Sequence, residues 1–385
     1  MKRLRTIMLM LGFAAVLMMP ILLRKVNAQF GLTGVSVQTE RPILTKKGLL
    51  DGTVQEELND YIAQNMPGRD LMIKVRNQLI FTLYSKSPNE NIVIGKNNNL
   101  FEKEYVLKYE KVYPPADKEY VVDLCDKIAV IQDKLEAKGK ELYLFITPTK
   151  VRYYEEDVPD IYRVASSFGE RTGNYEVLME TLADYDFKVY DSIPVVAAYR
   201  ETADAAGMPL YYKTGSHWSL VVGAEVASGL GCFLDENSKY DFPDTHVEYA
   251  PVPEPLHPDS DIFNTFNVFT KPYDSYYSAE LKAEDIGLAE EEKPNLFCRG
   301  GSFMGQTINH LINNGMFHLD TYVENTIYYR NRFTEPGSFS DYGELNLKQE
   351  LEQADIVILE VNEAHIPTMS FGLIDYLIEH PELLD

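Results

Sequence analysis

Leu142-Tyr143-Leu144-Phe145-Ile146-Thr147-Pro148 is an apolar run closed by a threonine and a proline. A strand with one face in water alternates polar and apolar residues. A strand with no polar position through its length is buried on both faces, the situation of a parallel sheet covered by helices on each side. The flanks agree. A charged amphipathic stretch from Pro115 to about Lys138 predicts a helix before the strand, and Tyr175 to Ala183 predicts one after it. Strand Phe187 to Tyr190 follows, then helices near Val195 to Ala206 and Ser219 to Leu230. The alternation resumes with strand Asn295 to Cys298, helix Phe303 to Asn313, a strand around Val323 to Tyr329, helix Leu345 to Glu352, strand Ile356 to Glu360 and a last helix near Phe371 to Ile378. Strands that alternate with helices in this way predict an α/β fold, a parallel sheet with helices on both faces.

Two regions break the alternation. Asp235 to Pro294 is rich in Pro, Asp, Glu and Tyr without sustained periodicity, and is expected to be an insertion or cap near one end of the sheet. Asp51 to Tyr84 has helical periodicity with a break at Met66-Pro67-Gly68. The expected organisation is therefore an N-terminal signal or anchor over residues 1–28, a linker over 29–48, and one domain over 49–385 that includes the insertion at 235–294. No internal repeat or low-complexity tract is visible.

Lys2, Arg3 and Arg5 precede an apolar run from Ile7 to Leu23, a positive segment followed by nearly a bilayer span of hydrophobic residues. The chain is expected to be exported and held at the membrane by an uncleaved helix, with secretion after cleavage at Val26-Asn27-Ala28 as the alternative. Arg24 and Lys25, directly against the apolar run, favour the anchor.

The formal charge of -23 repels nucleic-acid phosphates and argues against DNA or RNA as partner; it would repel a polyanionic glycan as well. Cys125, Cys232 and Cys298 are odd in number and widely spaced, so neither a disulfide framework nor a metal site is expected. The 26 tyrosines suit sugar stacking and an ordinary core equally.

Chemistry is concentrated in two segments. Phe297-Cys298-Arg299-Gly300-Gly301-Ser302-Phe303 puts a serine just past a buried strand and at the mouth of a helix, where glycines permit a tight turn and free N–H groups can hold an oxyanion. Ser302 is the nucleophile candidate, with Gly301 and Ser302 as oxyanion donors. A serine there is also an ordinary helix cap. Tyr211-Tyr212-Lys213-Thr214-Gly215-Ser216-His217-Trp218-Ser219 brings a histidine and the only tryptophan to the threshold of another helix. A serine hydroxyl becomes a nucleophile when an imidazole takes its proton, so His217 is the candidate base, against the plainer reading of a merely hydrogen-bonded histidine. Tyr328 and Trp218 are possible pocket residues; Arg299 and Cys298 read as buried strand residues, and His310 and His318 receive no role.

Together these segments resemble the SGNH-hydrolase-type alginate O-acetyltransferases and their DHHW-type relatives in Gram-positive exopolysaccharide and wall-modification loci. The resemblance runs in order from Leu49 to Glu363: Ile94-Gly95-Lys96-Asn97 before a Leu-Phe, Thr147-Pro148-Thr149-Lys150 at a strand end, the His-Trp box, the Ser-Phe turn, and Ile356-Val357-Ile358-Leu359-Glu360. It implies an SGNH-hydrolase-like fold and an extracytoplasmic O-acetyltransferase acting on a polysaccharide through Ser302 and His217, with no cofactor. The acetyl group would come from a membrane-bound O-acyltransferase partner. The family usually has Asp two residues before the histidine, where this chain has Gly215, and Asp or Thr where it has Gly301. Since the acid orients the imidazole, a substitute is needed: Asp191 or Glu360, with Glu363 beside it, each of which also reads as a structural carboxylate that caps a helix or pairs with Lys150. The alternatives to transfer are an acetylesterase, or an impaired relative that binds glycan or scaffolds the same machinery.

Overall fold

The computed structural model describes residues 2–26, 30–34, 39–164, 172–284, 289, 292–318 and 342–385. The chain divides into two compact units: Met1–Glu90 with Phe263–Lys271, and Asn91–Ile262 with Pro272–Asp385. Residue 49, where the domain was expected to begin, lies inside the first of these units.

The first unit is helical. Lys2–Val26 is one continuous helix, long and apolar enough from Arg3 to Arg24 to cross a membrane, and the single such helix among the described residues. The periodic stretch from residue 51 forms two helices, Thr53–Asn65 and Arg69–Tyr84, separated where Gly68 takes a positive φ of 78°. Phe81 packs its ring on Phe263 and Phe266, and Asn77 donates to the Phe266 carbonyl at 2.8 Å.

The second unit holds eight strands among the described residues: β1 Ile92–Ile94, β2 Leu100–Glu102, β3 Glu141–Thr147, β4 Lys188–Asp191, β5 Thr245–Val252, β6 Tyr276–Ala283, β7 Leu296–Arg299 and β8 Ile356–Asn362. Four form a parallel sheet in the order β4-β3-β8-β7. The run that opened the sequence reading is its interior strand β3, and β8 beside it is buried at every residue. The strand anticipated around Val323 to Tyr329 lies outside the described residues.

Alternate residues of these strands divide the core between two faces. Tyr143, Phe145, Cys298, Ile356 and Ile358 pack against the helices Ser192–Ala206, Leu220–Asn237 and Ser302–Asn313. Leu142, Leu144, Ile146, Phe297, Val357 and Leu359 pack against Lys118–Glu136, Asn174–Leu182, Leu347–Gln353 and Leu373–Glu379. The helices therefore cover both faces, as the unbroken apolar runs Leu142 to Ile146 and Ile356 to Leu359 require.

The segment expected as an insertion contains the antiparallel pair β5–β6, in register from Thr245↔Ala283 to Val252↔Tyr276. The helix before it runs to Asn237, so the departure from the α/β alternation begins there rather than at 235. Between β5 and β6 the chain passes Asp259-Ser260-Asp261, leaves this unit after Ile262 and re-enters it at Pro272.

Candidate active site

Strand β7 ends at Arg299, Gly300 and Gly301 turn the chain, and the helix Ser302–Asn313 begins at the serine. Only a residue without a side chain fits at 300: a Cβ there would stand 2.5 Å from the Cβ of Glu360 and 2.9 Å from the sulfur of Met304. The turn is thus pressed against β8, and it fixes Ser302 at the rim of the sheet.

His217 reaches the same point from another direction. Tyr211 and Trp218 form a short antiparallel bridge, Ser219 N–H donates to the Leu210 carbonyl at 2.8 Å, and the Ser219 hydroxyl caps the following helix. The loop pinched off between them is wrapped around Lys150, whose buried ammonium donates to the carbonyls of Leu100, Tyr212 and Gly215 at 2.7, 2.7 and 2.8 Å. Burial lowers the Lys150 pKa to about 7. The surrounding carbonyl oxygens only accept, so the ammonium is the form that satisfies them. Trp218, fully buried, sets its ring edge-on to Phe303 at 4.9 Å, and the imidazole of His217 lies over Phe303 at 4.8 Å. The residue after the serine therefore supports both the histidine and the tryptophan.

The result is a continuous hydrogen-bonded chain. The Ser302 Oγ lies 2.6 Å from Nε2 of His217, and Nδ1 of the same ring lies 2.6 Å from Oδ2 of Asp261. Asp261 is held in turn: its Oδ1 accepts the N–H of Ser216 at 2.8 Å and its Oδ2 the hydroxyl of Ser216 at 2.7 Å. Burial pushes the Asp261 carboxyl up, but the hydrogen bond and charge of His217, with the donors of Ser216, outweigh it and hold the carboxyl below the usual range. A carboxylate fixed in this way keeps Nδ1 protonated and leaves Nε2 facing the serine as a proton acceptor.

Neither acid anticipated from the sequence occupies that place. Asp191 caps the helix Ser192–Ala206 by accepting the N–H of Ile193 at 2.9 Å, and takes the Tyr175 hydroxyl at 2.6 Å. Glu360 accepts the Gly301 N–H at 2.7 Å and the Thr147 hydroxyl, and burial pushes its carboxyl up to about 7 against those two bonds. Glu363 pairs with Arg152, its Oε2 accepting from Nε at 2.8 Å, so the pairing of these acids with Lys150 is corrected as well. Because the Gly301 N–H is given to Glu360, the oxyanion donors that remain are the amides of the first helical turn from Ser302 onward, which have no intrahelical acceptor.

Gly215 explains the departure from the family box. A Cβ at this position would stand 2.6 Å from the carbonyl oxygen of Asp259 and 3.4 Å from Oδ1 of Asp261. The space into which an aspartate at 215 would project is filled by the loop that brings Asp261. The acid has not been lost; it arrives from a segment 44 residues beyond the histidine. Sequence reasoning missed it because no local spacing ties Asp261 to His217. The one available signal was the acid pair Asp259 and Asp261 inside the segment already suspected of carrying function.

Of the pocket candidates, Trp218 is a core residue, and Tyr328 lies outside the described residues. Arg299 is buried against the rings of Phe371 and Tyr342 and donates to the Tyr342 hydroxyl at 2.9 Å; Cys298 is buried in the sheet. Two clefts meet at Ser302. The larger, about 700 Å³, is bounded by Glu102, Tyr105, His217, Asp261 and the helix that starts at the serine. The smaller, about 290 Å³, is bounded by Tyr105, Gly301, Glu360, Asn362, His365 and Phe371. His310, given no role from the sequence, lines the larger one. No cluster of metal-ligating side chains occurs among the described residues.

A parallel sheet covered on both faces, with serine and histidine presented from loops at its rim, defines an SGNH-hydrolase-like α/β domain. Residues 92–253 match the family described as SGNH hydrolase-like domain, acetyltransferase AlgX, which bears out the resemblance read from the motifs. His217 falls inside the matched span; Asp261 and Ser302 lie beyond it. The comparison with curated proteins gives no match. Solved structures similar to this chain include the O-acetyltransferase domain of Pseudomonas putida AlgJ, at 17% identity over 72% of this chain and 92% of that one, with a TM-score of 0.44. Pseudomonas aeruginosa AlgX matches at 16% identity over 74% and 66%, TM-score 0.39. Bacillus cereus PatB1 with a sulfonyl adduct matches at 8% identity over 71% and 97%, TM-score 0.43.

Proposed function

We propose that this chain is an extracytoplasmic O-acetyltransferase that moves acetyl groups onto hydroxyls of a cell-surface or secreted polysaccharide, with Ser302 as nucleophile, His217 as general base and acid, and Asp261 as the orienting acid. The observation that carries the reading is the 2.6 Å approach of His217 Nε2 to Ser302 Oγ, backed by Asp261 on the opposite ring nitrogen.

The chemistry follows from that arrangement. Nε2 takes the hydroxyl proton as Ser302 Oγ bonds to the acetyl carbonyl carbon, and the amides opening the helix face the developing oxyanion. Collapse breaks the bond to the donor's leaving group, which receives the proton from His217, and leaves acetyl-Ser302. A glycan hydroxyl then gives its proton to Nε2 and attacks the acetyl carbon. The Ser302 ester bond breaks, and the proton returns to Oγ. Asp261 stabilises the imidazolium in both halves without being protonated itself.

The complete chain of hydrogen bonds supports the enzyme over the impaired scaffold that Gly215 had suggested. The apolar helix Lys2–Val26 supports a membrane tether, and a catalytic unit outside the membrane would draw acetyl groups from a membrane-bound O-acyltransferase partner. The test is acetyl transfer from p-nitrophenyl acetate to a polysaccharide acceptor by wild type, Ser302→Ala and His217→Ala. Transfer by wild type alone is expected. Equal release of acetate by all three, or release that no acceptor diverts into glycan ester, removes the transferase reading.

A further inference from the structure

The two clefts at Ser302 share a property that the overall charge does not by itself dictate. Among the described residues, no lysine or arginine lines either of them. The charged side chains of the larger cleft are Glu102 and Asp261, and Asp261 is committed to His217. The floor of that cleft is one face of the helix that starts at the nucleophile: Gln306, Asn309, His310 and Asn313 follow Ser302 at the spacing that stacks side chains along a helix. All four carry neutral two-way groups, an amide or an imidazole, that can each offer a donor and an acceptor. Burial lowers the pKa of His310, which keeps its ring uncharged. The Gln306 amide is shut from solvent and packs towards Gly223, so along this face the accessible polar groups are those of Asn309, His310 and Asn313.

A sugar hydroxyl or acetamido group can both accept from and donate to such amides, and about 700 Å³ is within the range of clefts that hold a short oligosaccharide. A uronate does not suit the cleft. Its carboxylate would enter a cleft whose described lining offers it two carboxylates and no lysine or arginine, on a chain of net charge -23.

From this geometry we infer that the acceptor is an uncharged glycan, read through its hydroxyl or acetamido groups by the amides of Asn309 and Asn313, and that polyuronates are rejected. The inference rests on the acetyl-transfer reading and deepens it by naming the substrate class.

The test is calorimetric titration of full-length Ser302→Ala, at low ionic strength, with tetramers of β-1,4-linked glucose and N-acetylglucosamine and with a mannuronate tetramer. A neutral tetramer is expected to bind at least about tenfold more tightly than the uronate. Asn313→Lys, at an exposed position, is expected to strengthen uronate binding and to weaken neutral binding by removing one amide of the row, so that the preference for the neutral tetramer falls by at least about tenfold. Uronate binding that equals or exceeds neutral binding, or no binding of either neutral tetramer at millimolar concentration, overturns the inference. Wild type treated with p-nitrophenyl acetate separates the two levels. Acetyl on Ser302 together with tight uronate binding sinks the substrate class alone, whereas no acetyl on Ser302 sinks the acetyl-transfer reading beneath it.

Discussion

Replacing Asp261 by asparagine keeps the shape of the side chain and removes the one property the site uses. In the native arrangement Oδ2 sits 2.6 Å from Nδ1 of His217 and accepts a hydrogen bond from its N–H, so Nε2, 2.6 Å from Ser302 Oγ, is left bare. An asparagine amide pointed at Nδ1 donates instead. The ring then takes the opposite tautomer, and Nε2–H faces a hydroxyl whose proton it is meant to receive. A reversal of this kind costs about 10⁴-fold in kcat, or about 5 kcal/mol at 1.36 kcal/mol per decade. The Ser216 hydroxyl, 3.3 Å from the same ring nitrogen, can accept its proton in a fraction of molecules, which sets the expected loss at about 10³- to 10⁴-fold. The assay is kcat/KM for p-nitrophenyl acetate, with circular dichroism and a thermal melt to establish that the variant folds. The parallel variants Asp191→Asn and Glu360→Gln are expected to stay within about tenfold of wild type, because neither side chain touches His217. The reasoning is refuted if Asp261→Asn also stays within about tenfold, and the more so if a folded Asp191→Asn loses activity in its place.

Gly215→Ala puts a methyl carbon 2.6 Å from the Asp259 carbonyl. It should cost about 1–3 kcal/mol of stability by overpacking and lower kcat/KM by displacing the Asp261 loop, both read by denaturant titration and ester hydrolysis. Lys150→Met leaves the buried carbonyls of Leu100, Tyr212 and Gly215 without a donor; a loss of about 3–5 kcal/mol is expected, and a loss below about 1 kcal/mol contradicts the role given to the ammonium. Glu360, raised from its ordinary 4.5 to about 7 by burial, binds its proton more tightly folded than unfolded. Its contribution is full below about pH 4.5 and is lost as pH rises through about 7, at most about 3 kcal/mol. Urea unfolding across that window should show the decline in wild type and a smaller one in Glu360→Gln.

The sheet was legible because burial on both faces leaves unbroken apolar runs, Leu142 to Ile146 in β3 and Ile356 to Leu359 in β8. Their observed limits extend only one or two residues past those read from the sequence. The helices of the first unit were legible from their period, and the break at Gly68 from its chemistry. The pair β5–β6 was not: β5 is mostly exposed and β6 mostly half-buried, so the hydrophobic alternation that marks a strand is diluted by His, Glu, Lys and Pro. Ser302 and His217 could be singled out because each sits at a loop-to-helix threshold where its side chain is available for chemistry. Asp261 could not, since its relation to His217 is created by tertiary folding of a long excursion, and a glycine at 215 reads as an absence until the carbonyl filling its space is seen. Trp218 was misjudged for a similar reason: an aromatic beside a candidate base suits a sugar platform and a buried brace equally, and only its contact with Phe303 decides.

The most direct measurement is the site of acetylation itself. Wild type quenched during turnover of p-nitrophenyl acetate, digested and sequenced by tandem mass spectrometry, should carry a single acetyl group on the Ser302 oxygen. That ester should persist in buffer and disappear on addition of a neutral oligosaccharide, with acetyl recovered on the sugar. Acetyl found on another residue, or turnover with Ser302 never modified, contradicts the central claim.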